Sequence, residues 1–277
     1  MAVAVDHDCR PGSDRAAGQT TANPATLRPV PGRLGQGAFA VDSLAVSVTN
    51  TDLAVVTDGR TTLRRGPTGD GAGEVSTVMD GVSDLLRPQF TRYDELWAIG
   101  RRDGKQRMWV STADQALEVD ATDLLDGGEV LAFKISPDGT RVAFIRRSGK
   151  GTALGLALII RSDVKKITVD GWRPLDTTQT NKAQVTRLAD VGWLDATDLL
   201  VLGAATQDAP LGPVTIAEAA SSISAENQAN QWDAVELTVL LRPPSALIVG
   251  GDQQTYLDDG DQWRPFLDKI KTIAYPG

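Results

Sequence analysis

The sequence predicts an all-β fold: a β-propeller of four-stranded blades, about five in number. Two observations carry this expectation. Short apolar stretches with a two-residue period alternate with turns built from Gly, Asp and Pro. The strand–turn–strand unit also recurs at the 40- to 50-residue spacing typical of propeller repeats. The best-formed copy is Val130 to Arg147, in which Leu131, Phe133 and Ile135 alternate with Ala132 and Lys134. Ser136-Pro137-Asp138-Gly139 turns the chain, and Val142, Phe144 and Ile145 resume the apolar run. Pro presets one turn dihedral, and Asp-Gly offers the positive φ that hairpins use.

Residues 1 to 33 are rich in Pro, Gly, Thr, Asp and Arg without a sustained period. They read as a disordered tail or linker with room for one short strand at Leu27–Val30. Residues 34 to 277 read as the propeller. Its first unit holds strands at Val41–Val48, Leu53–Thr57, Thr61–Arg64 and Val75–Val78. The second holds Leu86–Phe90, Leu96–Ile99, Arg107–Val110 and Ala116–Val119. The third adds Leu154–Arg161 and Lys165–Val169 to the hairpin above. The fourth has Val185–Val191, Leu199–Leu202 and Val214–Ile216, followed by an Ala/Ser/Asn/Gln-rich insertion, Ala217–Gln231, read as a short helix or ordered loop. The fifth has Val235–Leu241 and Ala246–Val249. Aligned on their second strands, the units start at Leu53, Leu96, Val142, Leu199 and Leu247, which are 43, 46, 57 and 48 residues apart. A β-sandwich has closer turns and no such period. Ring closure is open at this level. Lys269–Tyr275 is either the outer strand of the fifth blade or the start of a sixth that the N-terminal segment completes.

A net charge of −8 argues against nucleic acid as the main partner. One cysteine, Cys9, gives neither a disulfide framework nor a cysteine zinc site. The single histidine, His7, lies in the same tail, which disfavours His-dependent catalysis. No window reaches the roughly 18 apolar residues of a membrane span.

The chemistry-bearing motifs are sparse. Asp258-Asp259-Gly260-Asp261 lacks the alternating ligands and distal Glu of a calcium loop and reads as an acidic turn. Asp138 and Asp198 sit at hairpin turns, where Asp bonds nearby backbone. No Gly-x-Ser-x-Gly elbow is present. Trp97, Trp109, Trp172, Trp193, Trp232 and Trp263 read as blade-packing residues. No catalytic residue, metal ligand or cofactor is assigned.

Charge placement is more informative. In a four-stranded blade model, every turn between second and third strands lies on one face. Those turns carry Arg60 in the first unit, then Arg101, Arg102, Lys105 and Arg107 in the second. In the third they carry Arg146, Arg147 and Lys150, while the fourth and fifth carry Asp208 and Asp252. These eight cations read as a docking patch for an acidic protein, an anionic lipid or a wall polymer, against the alternative of a solvated rim.

The Ser136-Pro137-Asp138-Gly139 hairpin resembles that of many bacterial propellers, including the TolB-type repeat. Three further segments narrow the likeness: Trp193-Leu194-Asp195-Ala196-Thr197-Asp198-Leu199-Leu200-Val201, Leu86-Arg87-Pro88-Gln89-Phe90 with Leu96-Trp97, and Ala274-Tyr275-Pro276-Gly277. Together they are similar to the C-terminal propeller of the actinobacterial lipoprotein LpqB family, over about Phe39 to Gly277. The resemblance implies an extracytoplasmic, membrane-anchored accessory protein. It also implies a link to the extracellular part of the Mtr sensor histidine kinase, to cell-wall homeostasis and to antibiotic tolerance. No catalytic residue transfers with it. The chain as written shows no lipobox and no export signal, since Cys9 follows Asp6-His7-Asp8, nor room for the GerMN-like domains that precede the propeller in the family. On this reading it is an envelope protein if a lipoprotein signal lies upstream, and cytoplasmic otherwise. The expected function is a non-enzymatic interaction module. The alternative is a glycan-binding protein or a carboxylate-dependent glycan hydrolase or lyase acting from the channel mouth.

Overall fold

The computed structural model describes residues 2–4, 41–49, 51–68, 75–112, 116–149, 151–163, 166–177, 185–217, 223–225, 233–241, 244–258, 263–270 and 272–274. Twenty of its strands form five four-stranded antiparallel sheets, each in simple sequence order from the axis outward. Blade 1 holds β2 (Val41–Val46), β3 (Asp52–Thr57), β4 (Thr62–Pro67) and β5 (Ser76–Met79). Blade 2 holds β6 (Gln89–Phe90), β7 (Leu96–Arg102), β8 (Lys105–Ser111) and β9 (Ala116–Val119). Blade 3 holds β10 (Val130–Ile135), β11 (Arg141–Ser148), β12 (Gly151–Asp163) and β13 (Lys166–Pro174). Blade 4 holds β14 (Arg187–Trp193), β15 (Asp198–Ala204), β16 (Gly212–Ala217) and β17 (Ile223–Ala225). Blade 5 holds β18 (Ala234–Leu241), β19 (Pro244–Gly250), β20 (Thr255–Asp258) and β21 (Trp263–Leu267). The five-bladed propeller is therefore as the sequence predicts.

Both faces of each blade are apolar, so neighbouring blades bury one another. Trp97 and Met108 of blade 2 pack on Phe133, Phe144 and Ile159 of blade 3. Ile145 and Leu154 of blade 3 pack on Trp193 and Val201 of blade 4. Leu63 of blade 1 meets Phe90 and Trp109 of blade 2, and Leu202 of blade 4 meets Leu237 and Ile248 of blade 5. Trp97, Trp109, Trp193 and Trp263 are buried and Trp172 half-buried, in line with the packing role expected of them. Trp232 lies outside the described residues.

Closure departs from the first expectation and follows the second only in joining the C-terminal strand to the N-terminal segment, as a two-stranded sheet among the described residues. The outer strand of blade 5 is β21, so the C-terminal strand is not part of that blade. Instead β22 (Thr272–Ala274) pairs in parallel with β1 (Ala2–Ala4), within the stretch read as a disordered tail. Ile273 packs on Leu247 and Val249 of blade 5, while Ala274 packs on Leu44, Val46, Leu53 and Val55 of blade 1. One strand thus presents alternate side chains to the two ends of the ring, as β geometry requires. The remaining residues of the N-terminal segment, including the 33/34 boundary and Leu27–Val30, lie outside the described residues.

Two local readings are also corrected, and one element is added. The insertion after β16 supplies β17 where a helix or loop was expected, because an outer strand needs only a ladder partner, here Val214–Ile216. In the Leu86–Phe90 segment only Gln89 and Phe90 are strand. Pro88 has no amide hydrogen for the ladder. A short helix, α1 (Thr122–Asp126), fills the link between blades 2 and 3 and buries Leu124.

The two faces of the disc differ. On one, the links between blades meet the turns between second and third strands. Arg60 Nε donates to the Leu85 carbonyl (2.8 Å), Arg147 N to Glu129 O (2.8 Å) and Gly251 N to Asp233 O (3.1 Å). This is the linker face. The other, the hairpin face, carries the first hairpin of each blade.

Candidate functional site

The innermost strands share an irregularity. The register of β2 on β3 slips between Val41 and Ser43, and that of β10 on β11 between Val130 and Ala132. In β14 the slip lies between Leu188 and Asp190, and in β18 between Ala234 and Glu236. Each slip is a β-bulge that leaves one extra residue out of the ladder: Asp42, Leu131, Ala189 and Val235. A bulge re-aims side chains and kinks its strand. All four bulged residues line one cavity of about 210 Å³ at the linker end of the axis. Blade 2 contributes Arg87, just ahead of its short inner strand.

Arg87 is clamped in the floor of this cavity. Its Nη2 lies 2.6 Å from Asp190 Oδ2 and its Nη1 lies 2.8 Å from Glu236 Oε1. Nη2 also donates to the Leu237 carbonyl at 2.8 Å. Asp190 accepts the Val191 amide at 2.9 Å and the Leu237 amide at 2.8 Å. Glu236 Oε1 accepts from Thr272 Oγ1 (2.9 Å) and from the Ile273 amide (3.1 Å). One carboxylate thus ties the axis to the closing strand β22. Burial pushes the Glu236 pKa up; Arg87 opposes this and the Asp190 charge adds to it. Burial alone would lower the Arg87 pKa, but the two carboxylates outweigh it and hold it raised. Beside them, burial and then the Arg87 charge push the Lys134 ammonium down to about 8. Glycan hydrolysis by a carboxylate pair needs the two acids free to flank a scissile bond. Here a guanidinium occupies that position between Asp190 and Glu236.

None of these four was singled out as a site residue from the sequence. The available signal was a charged residue inside an otherwise apolar inner strand: Lys134 in β10, Asp190 in β14 and Glu236 in β18.

Of the cations expected to form a patch, the seven among the described residues lie on blades 1 to 3 toward the linker face, and most are engaged. Arg60 caps the link to blade 2 through Leu85 and, at 3.2 Å, the Asp84 carbonyl. Arg101 reaches Glu129 at 2.6 Å and Asp84 at 3.3 Å. Arg147 shares Glu129 at 3.1 Å, and Arg107 pairs with Glu118 at 3.0 Å. The two arginines lower the pKa of Glu129 through their hydrogen bonds. Arg146 stacks on Trp172 at 4.1 Å and Arg102 on Trp109 at 5.1 Å. Lys105 is exposed and Lys150 lies outside the described residues.

At the third hairpin, burial would raise the Asp138 pKa. Hydrogen bonds from Ser136 and from the Thr140 amide and hydroxyl outweigh it and hold the carboxyl at about 2. In blade 4 the turn-bonding residue is Asp195, not Asp198: Asp195 Oδ1 accepts the amides of Thr197 and Asp198, each at 2.7 Å. Asp198 already opens β15, past the turn, so the carboxylate that meets the two free amides is the one placed two residues before Thr197. Asp259 and Asp261 of the acidic turn lie outside the described residues. Among the described residues no cluster of three or more His, Cys, Asp or Glu is placed to hold a metal ion. Nor is any of their helices long and apolar enough to cross a membrane.

Comparison with known proteins agrees with this architecture. Residues 19–276 match the family model described as the lipoprotein LpqB beta-propeller domain. The lipoprotein LpqB of Cutibacterium acnes is 26% identical over 93% of this chain and 45% of that protein. The lipoprotein LpqB of Thermobifida fusca is 23% identical over 90% of this chain and 44% of its own. The chain thus spans less than half the length of these relatives. Among solved structures, the tricorn protease aligns with a TM-score of 0.52 and 10% identity over 83% of this chain and 26% of its own, a likeness of fold alone. With five stacked sheets in sequence order and a family match over nearly their whole length, the chain belongs to the lipoprotein LpqB beta-propeller domain family.

Proposed function

We propose that this chain is a non-enzymatic interaction module. In this reading it is the propeller of an envelope lipoprotein, accessory to an Mtr-type two-component sensor kinase in cell-wall homeostasis. The observation that carries the non-enzymatic part is the Arg87 clamp. The two axial carboxylates, Asp190 and Glu236, are bound to one guanidinium and to backbone amides, the arrangement of a structural tie. Membership of a family whose relatives are lipoproteins supports the envelope placement. The docking surface in this reading is the linker face around Lys105 and Arg102, which offers positive charge to an acidic protein surface.

The test is capture of the extracytoplasmic part of the cognate sensor kinase by the immobilised propeller. Arg102→Glu combined with Lys105→Glu is expected to weaken capture roughly tenfold, with the loss concentrated in the association rate. Undiminished capture by this variant removes the surface from the proposal. No capture by the parent chain removes the partner. Release of reducing ends from wall glycan by the parent chain, lost in Glu236→Gln, would reverse the non-enzymatic reading.

A further inference from the structure

The cavity at the axis has an uneven wall. Its blade 3 to 5 side is aliphatic, made by the bulged Leu131, Ala189 and Val235. Val235 is 56% exposed, an unusual setting for a valine at the centre of a ring. The opposite side is mixed, with Asp42, Ser43 and Arg60 beside Leu85 and Leu86.

Hydrogen-bonding capacity is uneven too. The two guanidiniums are largely committed, Arg87 to Asp190, Glu236 and Leu237 O, and Arg60 to the carbonyls of Asp84 and Leu85. Among the described residues, all of Glu236's side-chain bonds fall on Oε1, which receives Arg87, Thr272 and Ile273. Its Oε2 accepts no hydrogen bond from a described residue, although the side chain is only 15% exposed. A carboxylate offers about four lone-pair sites on two oxygens, so the open capacity is that of an acceptor. A partly buried acceptor left open is a site for a donor. At about 210 Å³ the cavity is below the roughly 300–1,000 Å³ of drug-sized sites. It suits one unbranched side chain or a small amine.

We infer that this cavity is a binding site for an aliphatic primary ammonium. Its carbon stem lies along Leu131, Ala189 and Val235, and its charged head is received by Glu236. A lysine side chain has this build, and so does a free alkylamine. The site is separate from the Lys105 and Arg102 docking surface proposed above and rests on no assumption about the kinase.

The experiment is a methyl-NMR titration of the full chain with n-butylammonium, with butyrate and 1-butanol as matched controls. Saturable shifts are expected at Leu131, Ala189 and Val235 with the amine, and roughly tenfold weaker binding of both controls, the effect of one lost charge-assisted hydrogen bond. Val235→Trp, at an exposed position, is expected to fill the cavity and abolish the shifts without lowering Tm; Ala189→Phe is the second blocking variant. Equal binding of butanol overturns the ammonium assignment. The absence of saturable shifts, or binding that survives both blocking variants, overturns the site. A second arm uses Nα-acetyl-lysine methylamide. Binding in the same range makes a protein lysine the source, and its exclusion while butylammonium binds makes it a free amine. The partner-capture result is independent of either arm, so the two proposals fail separately.

Discussion

Single residues at the axis have consequences that their neighbours do not. Lys134 sits inside the ring with its pKa pushed down to about 8 from 10.5, burial being the larger cause and Arg87 the next. Below pH 8 both folded and unfolded chains carry this charge, and the folded state bears the full penalty. Between pH 8 and 10.5 the folded chain releases the proton first, so the unfolded chain binds more protons and stability rises with pH. Lys134→Met should therefore stabilise the protein at pH 7 by something on the order of 2 kcal/mol, and the gain should vanish by pH 10.5. Urea melts at the two pH values decide it; a variant destabilised at both would sink the idea. Little of this was legible in the sequence. In a half-buried strand, Lys134 between Phe133 and Ile135 reads as the solvent side of a two-residue period. In a propeller both faces of the inner strand meet other blades, so that side is interior. The turn at Asp138 was easier, because its carboxylate acts on backbone two positions away; in blade 4 the turn was legible but its bonding residue was read as Asp198, and it is Asp195.

At the scale of elements, blade 3 shows how a gap in one strand is filled by another. Gly155 in β12 leaves bare backbone, and Trp172 of β13 lies across it. A Cβ at this position would stand 2.4 Å from the indole and 2.6 Å from the Arg173 carbonyl. The indole in turn meets Phe144 at 6.4 Å and carries Arg146 over its ring at 4.1 Å. Because backbone is among the obstacles, Gly155→Ala should cost about 1–3 kcal/mol, and its denaturant midpoint should fall with little change in slope. A loss under about 0.5 kcal/mol would mean the hairpin yields. The same stack gives Arg146, expected from sequence to serve a docking patch, a packing role. Strand positions were legible because turn chemistry and the two-residue period agree over most of the chain. The pairing of Gly155 with an indole seventeen positions later was not, since a bulge between Leu156 and Leu158 sets the register.

For the whole molecule the decisive question is how a ring of five sheets closes. Here a strand of three residues, β22, does so with Ile273 on blade 5, Ala274 on blade 1 and Thr272 bound to the axial Glu236. Ile273 is 2% exposed, and Ile273→Ala should cost about 2–4 kcal/mol. Its signature is regional: hydrogen exchange should accelerate first in β2, β3, β18 and β19, and in blade 3 last. Uniform acceleration would show that closure is not a separate cooperative step. The five repeats were legible because each leaves its own local pattern. Closure was legible only in part: Lys269–Tyr275 reads as a strand, but its pairing with Ala2–Ala4 spans the length of the chain, and those three N-terminal residues leave no local period to register. The bulges at the axis carry a different implication. A residue squeezed out of its ladder is spared the pairing demands of the sheet, although Leu131 and Ala189 still rest against the neighbouring cores. Asp42, Leu131, Ala189 and Val235, one in each blade but the second, can be rewritten like letters on a combination lock. A lineage, or a designer's library, can thus change what the mouth admits while inheriting the wheel intact.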